Sequence, residues 1–207
     1  MSDKKPTIDN VRRDAGSAML RCLNECKFNE ITYDMIASEA KHSAALIRRL
    51  FPTMTQMVDQ GLQDLDDDIM AGFAEDLAED VDADTRERIL EGLIVRYEAY
   101  SPFKGAIKNL NMAALTNPSL ASLTINRLSA VSKTILELSG DDTSGVKGLL
   151  RIKGLAGVAL AAQRDWFADD TADMSVTIRV LDERLKQAES FAISLNIIPA
   201  HPTADEA

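Results

Sequence analysis

The sequence predicts an all-α chain, with a small N-terminal head of three helices in a helix-turn-helix arrangement and a larger helical body. Apolar residues recur every three or four positions along most of the chain, the spacing of amphipathic helices, and nowhere show the strict alternation of a strand. Hydrophobic residues make up 45% of the 207 and aromatics only 5%, with 10 Gly and 6 Pro, a composition biased toward good helix formers. Near the N-terminus, two short helical patterns are separated by three residues, the dimensions of a turn that sets one helix across another. The expected division is a head over 1–52, a body over 53–198 and a frayed tail over 199–207.

Each element has a local reason. Val11, Ala15, Met19, Leu20, Leu23 and Cys26 place the first helix over 8–27, and Phe28 and Ile31 anchor the turn after it. Thr32 is placed to cap a second helix over 33–40, whose Met35, Ile36 and Ala40 face inward. Lys41, His42 and Ser43 break the pattern. Ser43 caps a third helix over 44–51, and Pro52 ends it because the residue before a proline disfavours helical backbone. Thr53 caps a long fourth helix over 54–80 that buries Met57, Val58, Leu62, Leu65, Ile69, Met70, Phe73 and Leu77. Its other face, with Asp64, Asp66, Asp67, Asp68, Glu75 and Asp76, is expected to be solvated. Five more helices are predicted over 85–100, 103–115, 118–138, 144–167 and 173–195, separated by Ser101-Pro102, Asn117-Pro118 and Gly140-Asp141-Asp142.

Charge restricts the partners. The net charge is -10, which opposes indiscriminate binding to nucleic acid or an anionic membrane. Over 1–51, however, nine Lys and Arg face seven Asp and Glu, a balance of +2, whereas from 52 onward 14 face 26, a balance of -12. Contact with a polyanion therefore falls to the head. The first fifteen residues have no apolar signal-like core and no segment has the roughly 18 unbroken apolar residues that span a bilayer, so a soluble, cytoplasmic protein without membrane insertion is expected. Cys22 and Cys26 are expected to be reduced, packed thiols, and His42 and His201 supply no matched pair for a metal. Without a phosphate loop, a nucleophile elbow or a His-based acid–base pair, no catalytic residue, metal or cofactor is assigned and the chain is not expected to be an enzyme.

Two constellations in the body admit more than one reading. Tyr97, Tyr100, Phe103, Met112 and Leu115 either line a pocket for a hydrophobic small molecule or lipid or simply fill the core, with any internal cavity expected between about residues 62 and 138. Gly148, Gly154, Gly157, Ala159, Ala161 and Ala162 give the eighth helix a small-residue face suited to close packing or a dimer seam, which Trp166 would cap. A homodimer through the last two long helices is expected, because their apolar faces are too large for the pair alone to hide.

The stretch ITYDMIASEAKHSAALIRRLFPTMTQMVDQGL resembles the head of TetR-type transcriptional regulators, through Thr32, Ile36-Ala37, Ser43 and Phe51. The segment RIKGLAGVALAAQRDWFADDTADMSVTIRVLDERLKQAE is similar to the paired C-terminal helices of some such proteins. The resemblance implies a ligand-responsive repressor whose dimeric heads grip a DNA operator. It implies DNA contacts at Thr32 and Tyr33, at the turn residues Lys41, His42 and Ser43, and along the third helix at Ala44, Ala45, Arg48 and Arg49. A guanidinium there either pairs a phosphate or reaches guanine O6 and N7, and the same Arg pair also suits a plain solvated face. The chain departs from the family pattern with Lys41 where a Gly is usual, Arg48 where a phosphate-contacting Tyr is usual and Met54 where a Lys is usual. Leu50-Phe51-Pro52, the acidic fourth helix and Trp166-Phe167-Ala168-Asp169-Asp170 also resemble the TetR-fold accessory proteins of ubiquinone biosynthesis, which implies the alternative of a lipid-binding protein without DNA binding.

Overall fold

Residues 7–79 and 83–198 are described in the structure, a computed structural model. Among them the chain forms nine α-helices: α1 (Ile8–Glu25), α2 (Tyr33–Ala40), α3 (Ala44–Leu50), α4 (Met54–Glu79), α5 (Thr85–Tyr100), α6 (Lys104–Ala114), α7 (Pro118–Leu138), α8 (Gly145–Ala168) and α9 (Ser175–Ser194). Short 3-10 turns, Phe28–Glu30 and Ser101–Phe103, lead toward α2 and α6. No strand occurs among the described residues, so the all-α expectation holds. The tail expected over 199–207 and His201 lie outside the described residues. No described helix is long and apolar enough to cross a membrane.

The helix starts follow side-chain chemistry. Thr7, Thr32 and Ser43 accept hydrogen bonds from the backbone N–H groups of Asn10, Met35 and Leu46 at 3.2, 3.3 and 3.3 Å. Each satisfies a donor that the first helical turn leaves unpaired. Thr53 and Gln56 bond reciprocally, the hydroxyl accepting from Gln56 N at 3.3 Å and the Gln side chain accepting from Thr53 N at 3.2 Å. Asp84 and Glu87 repeat the device at α5, with bonds of 2.8 and 3.1 Å.

Helix α2 ends on Lys41, which adopts the left-handed conformation (φ 58°, ψ 36°). That geometry suits glycine, because an L side chain there crowds the following carbonyl at about 1–2 kcal/mol. The geometry at Lys41 accounts for the glycine that the resembling family usually has at this turn. Lys41→Gly should raise stability by about 1 kcal/mol. A thermal melt should then rise by about 2–4 °C, and an unchanged or lower midpoint would contradict this account of the turn.

The chain divides into two compact units. The first comprises the described parts of 1–71 and 99–127. Val11, Ala15, Ala18, Met19 and Leu23 are buried along one face of α1, which packs against α2, α3 and α6. At Gly16 and Gly61 the backbones of α1 and α4 meet: a Cβ on Gly61 would stand 2.5 Å from the Gly16 carbonyl oxygen. Two asparagines tie α1 to α6. Asn24 donates to the Pro102 carbonyl (2.7 Å) and accepts from Ala106 N (2.9 Å), while Asn109 donates to the Leu23 and Cys26 carbonyls (2.8 and 3.2 Å).

Two residues of the acidic face of α4 depart from expectation: Asp64 is half-buried and accepts from the Gln60 side chain at 2.9 Å, and Asp66 lies further in. Asp66 is buried, and the Tyr100 hydroxyl donates to it at 2.9 Å. It lies four residues after Leu62 and three before Ile69, both buried, so helical spacing carries it to the inner face. Asp67 and Asp68 are exposed as expected, and Asp68 pairs with Arg13.

The second unit comprises 72–98 and the described part of 128–207. Helices α8 and α9 pack together, burying Leu155, Ala159, Ala162 and Trp166 with Leu181 and Leu185. Tyr97 donates its hydroxyl to the Ala159 carbonyl, and its ring meets Trp166 edge-on at 5.2 Å and 67°. Burial pushes the Tyr97 phenol well above its ordinary range, which keeps it a donor. The small residues of α8 do not form one face: Gly148, Ala159 and Ala162 point inward, whereas Gly154, Gly157 and Ala161 are exposed. Trp166 belongs to the inward set and does not cap an exposed seam. The reason is the 3.6-residue period, which separates positions 154, 157 and 161 from 155, 159, 162 and 166.

Asp169 closes the turn between α8 and α9. Its two buried oxygens accept from the backbone N–H and hydroxyl of both Thr171 and Thr177, with N···O distances of 3.0 and 2.8 Å. Burial alone would raise this carboxyl; the four hydrogen bonds outweigh it and hold the group well below the usual carboxylate range.

Candidate functional site

The sequence-predicted contact residues of the first three helices come together on α2, α3 and the turn between them. Thr32 and Ser43 are spent locally as acceptors for the caps already described, although each hydroxyl retains its proton for an outside acceptor. Lys41 is exposed at the turn, Ala44 is half-buried and Ala45 is exposed. His42 is turned inward: its Nε2 lies 2.7 Å from an Asp14 carboxylate oxygen, and its side chain is only 13% exposed. The imidazole therefore ties the turn to α1.

Tyr33, the first residue of α2, donates its hydroxyl to the carbonyl of Phe51, the residue that ends α3, at 2.8 Å. The face of its ring carries the Arg48 guanidinium at 4.7 Å. Arg12 of α1 lies 5.5 Å from the centroid of the Phe51 ring, so a second cation sits near the same corner. Arg48 and Arg49 are both exposed in the last turn of α3, where the helix dipole favours positive charge. Neither makes an ion pair among the described residues, in contrast to Arg13 with Asp68 and Arg21 with Glu39. Ala45, Arg48 and Arg49 are spaced i, i+3, i+4 and so share one face of α3, and Ile47 anchors the opposite side fully buried.

A short helix bearing two guanidiniums without carboxylate partners among the described residues, beside a small apolar residue, has chemistry suited to the major groove. Arg recognises guanine O6 and N7 or pairs phosphate, and an alanine methyl accommodates the thymine methyl.

A TetR transcriptional regulator from Nitrosomonas europaea superposes with a TM-score of 0.68 at 17% sequence identity, covering 86% of this chain and 98% of that one. A tetR-family transcriptional regulator from Streptomyces coelicolor superposes with a TM-score of 0.64 at 15% identity, covering 92% and 85%. The chain has the TetR-regulator fold. No family model matches the sequence, and no curated protein matches it. At these identities the likeness establishes the TetR architecture, while the chemistry of each site rests on the residues present here.

The five residues grouped as a pocket lining fall in both units. Tyr100, Phe103, Met112 and Leu115 belong to the first unit and Tyr97 to the second. Tyr97 and Tyr100 are buried and Phe103 is half-buried, whereas Met112 and Leu115 are 63% and 77% exposed.

Several polar ties of the fold go beyond what the sequence predicts. The Asn24 and Asn109 ties and the His42–Asp14 pair bring together positions far apart in the chain, for which a single sequence carries no signal. The Asp84–Glu87 cap was detectable as an acidic residue followed three positions later by Glu at a helix start.

Proposed function

We propose that the protein is a DNA-binding transcriptional regulator of the TetR type, a cytoplasmic repressor that grips its operator as a homodimer and lets go when an apolar effector enters the helical body. The observation that supports it best is the exposed face of α3, where Arg48 and Arg49 stand without carboxylate partners among the described residues, beside Ala45 and the turn at Lys41. These residues, with Thr32, Ser43 and Ala44 around them, form the proposed DNA-facing surface of a head spanning 1–52, and Tyr33 and His42 support it from behind through their bonds to Phe51 and Asp14.

The proposed dimer surface is the exposed side of α8 and α9. Val146, Leu149, Leu150 and Leu160 of α8, Phe191 of α9 and Leu195 just after it are large apolar side chains left in solvent. A Cβ at Gly154 or Gly157 would meet nothing within 4 Å, so another helix has room to come close. Two heads in a dimer then address successive major grooves about 34 Å apart, and an effector that binds one head spacing better shifts the equilibrium.

Titration against duplex DNA from upstream of the protein's own gene, beside a scrambled duplex, tests the reading. Specific binding is expected, with a shallow salt dependence because few phosphates are neutralised per head. Light scattering should show a dimer at micromolar concentration, and Leu149→Glu combined with Leu160→Glu should give monomers with weakened operator affinity. A wild-type monomer would remove the dimer. Equal affinity for operator and scrambled DNA would remove the regulator reading.

A further inference from the structure

We propose that Tyr33 acts as a platform that presents Arg48 to a guanine in the major groove, and does not itself contact DNA. The inference rests on the DNA-binding reading above. Tyr33 is anchored at both ends of the helix-turn-helix: its backbone opens α2, and its hydroxyl donates to the carbonyl of Phe51 at the close of α3. The hydroxyl proton is thus already committed within the protein. The ring lies between these anchors, with the Arg48 guanidinium 4.7 Å from its centroid.

A guanidinium held over an aromatic ring has one side covered by the ring and keeps N–H donors directed away from it. Those donors are the ones that address guanine O6 and N7 together. An Arg side chain held on an aromatic face also loses less rotamer freedom when it binds than one waving in solvent. Arg49, on the same helix face, has no aromatic partner among the described residues and remains the freer cation, suited to phosphate. The two adjacent arginines therefore divide the work, and the division is set by Tyr33 in the neighbouring helix. The pair also explains how a head with an Arg on its recognition helix makes use of a Tyr at the start of the preceding helix.

The test is a double-mutant cycle. An operator is selected from a random duplex library with wild-type protein at one salt concentration. Affinities for the operator and for a scrambled duplex are then measured by fluorescence anisotropy for wild type, Arg48→Ala, Tyr33→Leu, Tyr33→Phe and the double variant Tyr33→Leu/Arg48→Ala. Arg48→Ala should lower the operator-to-scrambled ratio about tenfold or more, with the loss traced to one guanine position. Tyr33→Leu should lower it about two- to fivefold, and should have no further effect once Arg48 is Ala. Tyr33→Phe keeps the ring and should stay within about twofold of wild type. Thermal melts of each variant separate loss of folding from loss of specificity.

Equal cost of Tyr33→Leu with and without Arg48 would overturn the platform role, as would a loss in Tyr33→Phe matching that in Tyr33→Leu. Uniform weakening of all duplexes by Arg48→Ala would assign Arg48 to phosphate and overturn its guanine contact. A wild type that enriches no sequence would remove the DNA-binding reading and this proposal with it, a failure distinguishable from additivity in a protein that does select an operator.

Discussion

Asp169→Ala is expected to be strongly destabilising, by about 3–5 kcal/mol, although it lies far along the chain from the proposed DNA-facing surface. The carboxylate accepts four hydrogen bonds in a buried turn, and alanine would leave the Thr177 N–H and hydroxyl without their acceptor. For a chain of this length the melting midpoint should fall by roughly 10 °C. Asp169→Asn, which retains one acceptor oxygen, should lose less. The wild type should also carry an acid signature. Because the folded carboxyl titrates below its ordinary range, its stabilising contribution is complete above the unfolded pKa of about 4 and is lost as pH falls below that value toward the depressed folded one. Urea unfolding at pH 7, 4 and 3 should show this decline in the wild type and a shallower one in Asp169→Asn. Parallel acid profiles in the two proteins would contradict the role given to this carboxylate.

Gly61→Ala is the second large expected effect. Alanine normally strengthens a helix interior by about 1 kcal/mol over glycine, yet here the added methyl would stand 2.5 Å from a backbone carbonyl oxygen of α1. Backbone cannot swing aside as a side chain can, so α1 and α4 must separate, and overpacking of this kind costs about 1–3 kcal/mol or more. A net loss of about 2 kcal/mol is expected, with a fall in melting midpoint of about 4–8 °C. Gly72, on the same helix, has nothing within 4 Å of the corresponding position, and Gly72→Ala should stabilise by about 0.5–1 kcal/mol. The opposite signs of two identical substitutions in α4, read from thermal melts, are the check. Matching signs would mean that the close approach of α1 and α4 does not limit the residue at 61.

Local periodicity and end chemistry made most of the fold legible. The helix over 33–40 with its Thr32 cap, the Ser43 and Thr53 caps and the start of α7 at Pro118 are short-range features, each decided within a few residues of chain. The helix over 44–51 was one residue too long, because Phe51 leaves helical geometry ahead of Pro52, as the proline rule requires. Phase within a helix was legible too, but charge obscured it at Asp66, whose spacing from Leu62 and Ile69 pointed inward.

By itself, then, the sequence determined the helices, their order and the concentration of positive charge in the first fifty residues, because a helix is closed by bonds to neighbours in the chain. Tertiary structure alone decided which carboxylates are spent on cations, that His42 folds back onto Asp14, that Gly16 meets Gly61 and that Arg48 lies on Tyr33. Those pairings join residues 15 to 55 positions apart, and their geometry depends on how helices cross, which no local pattern encodes.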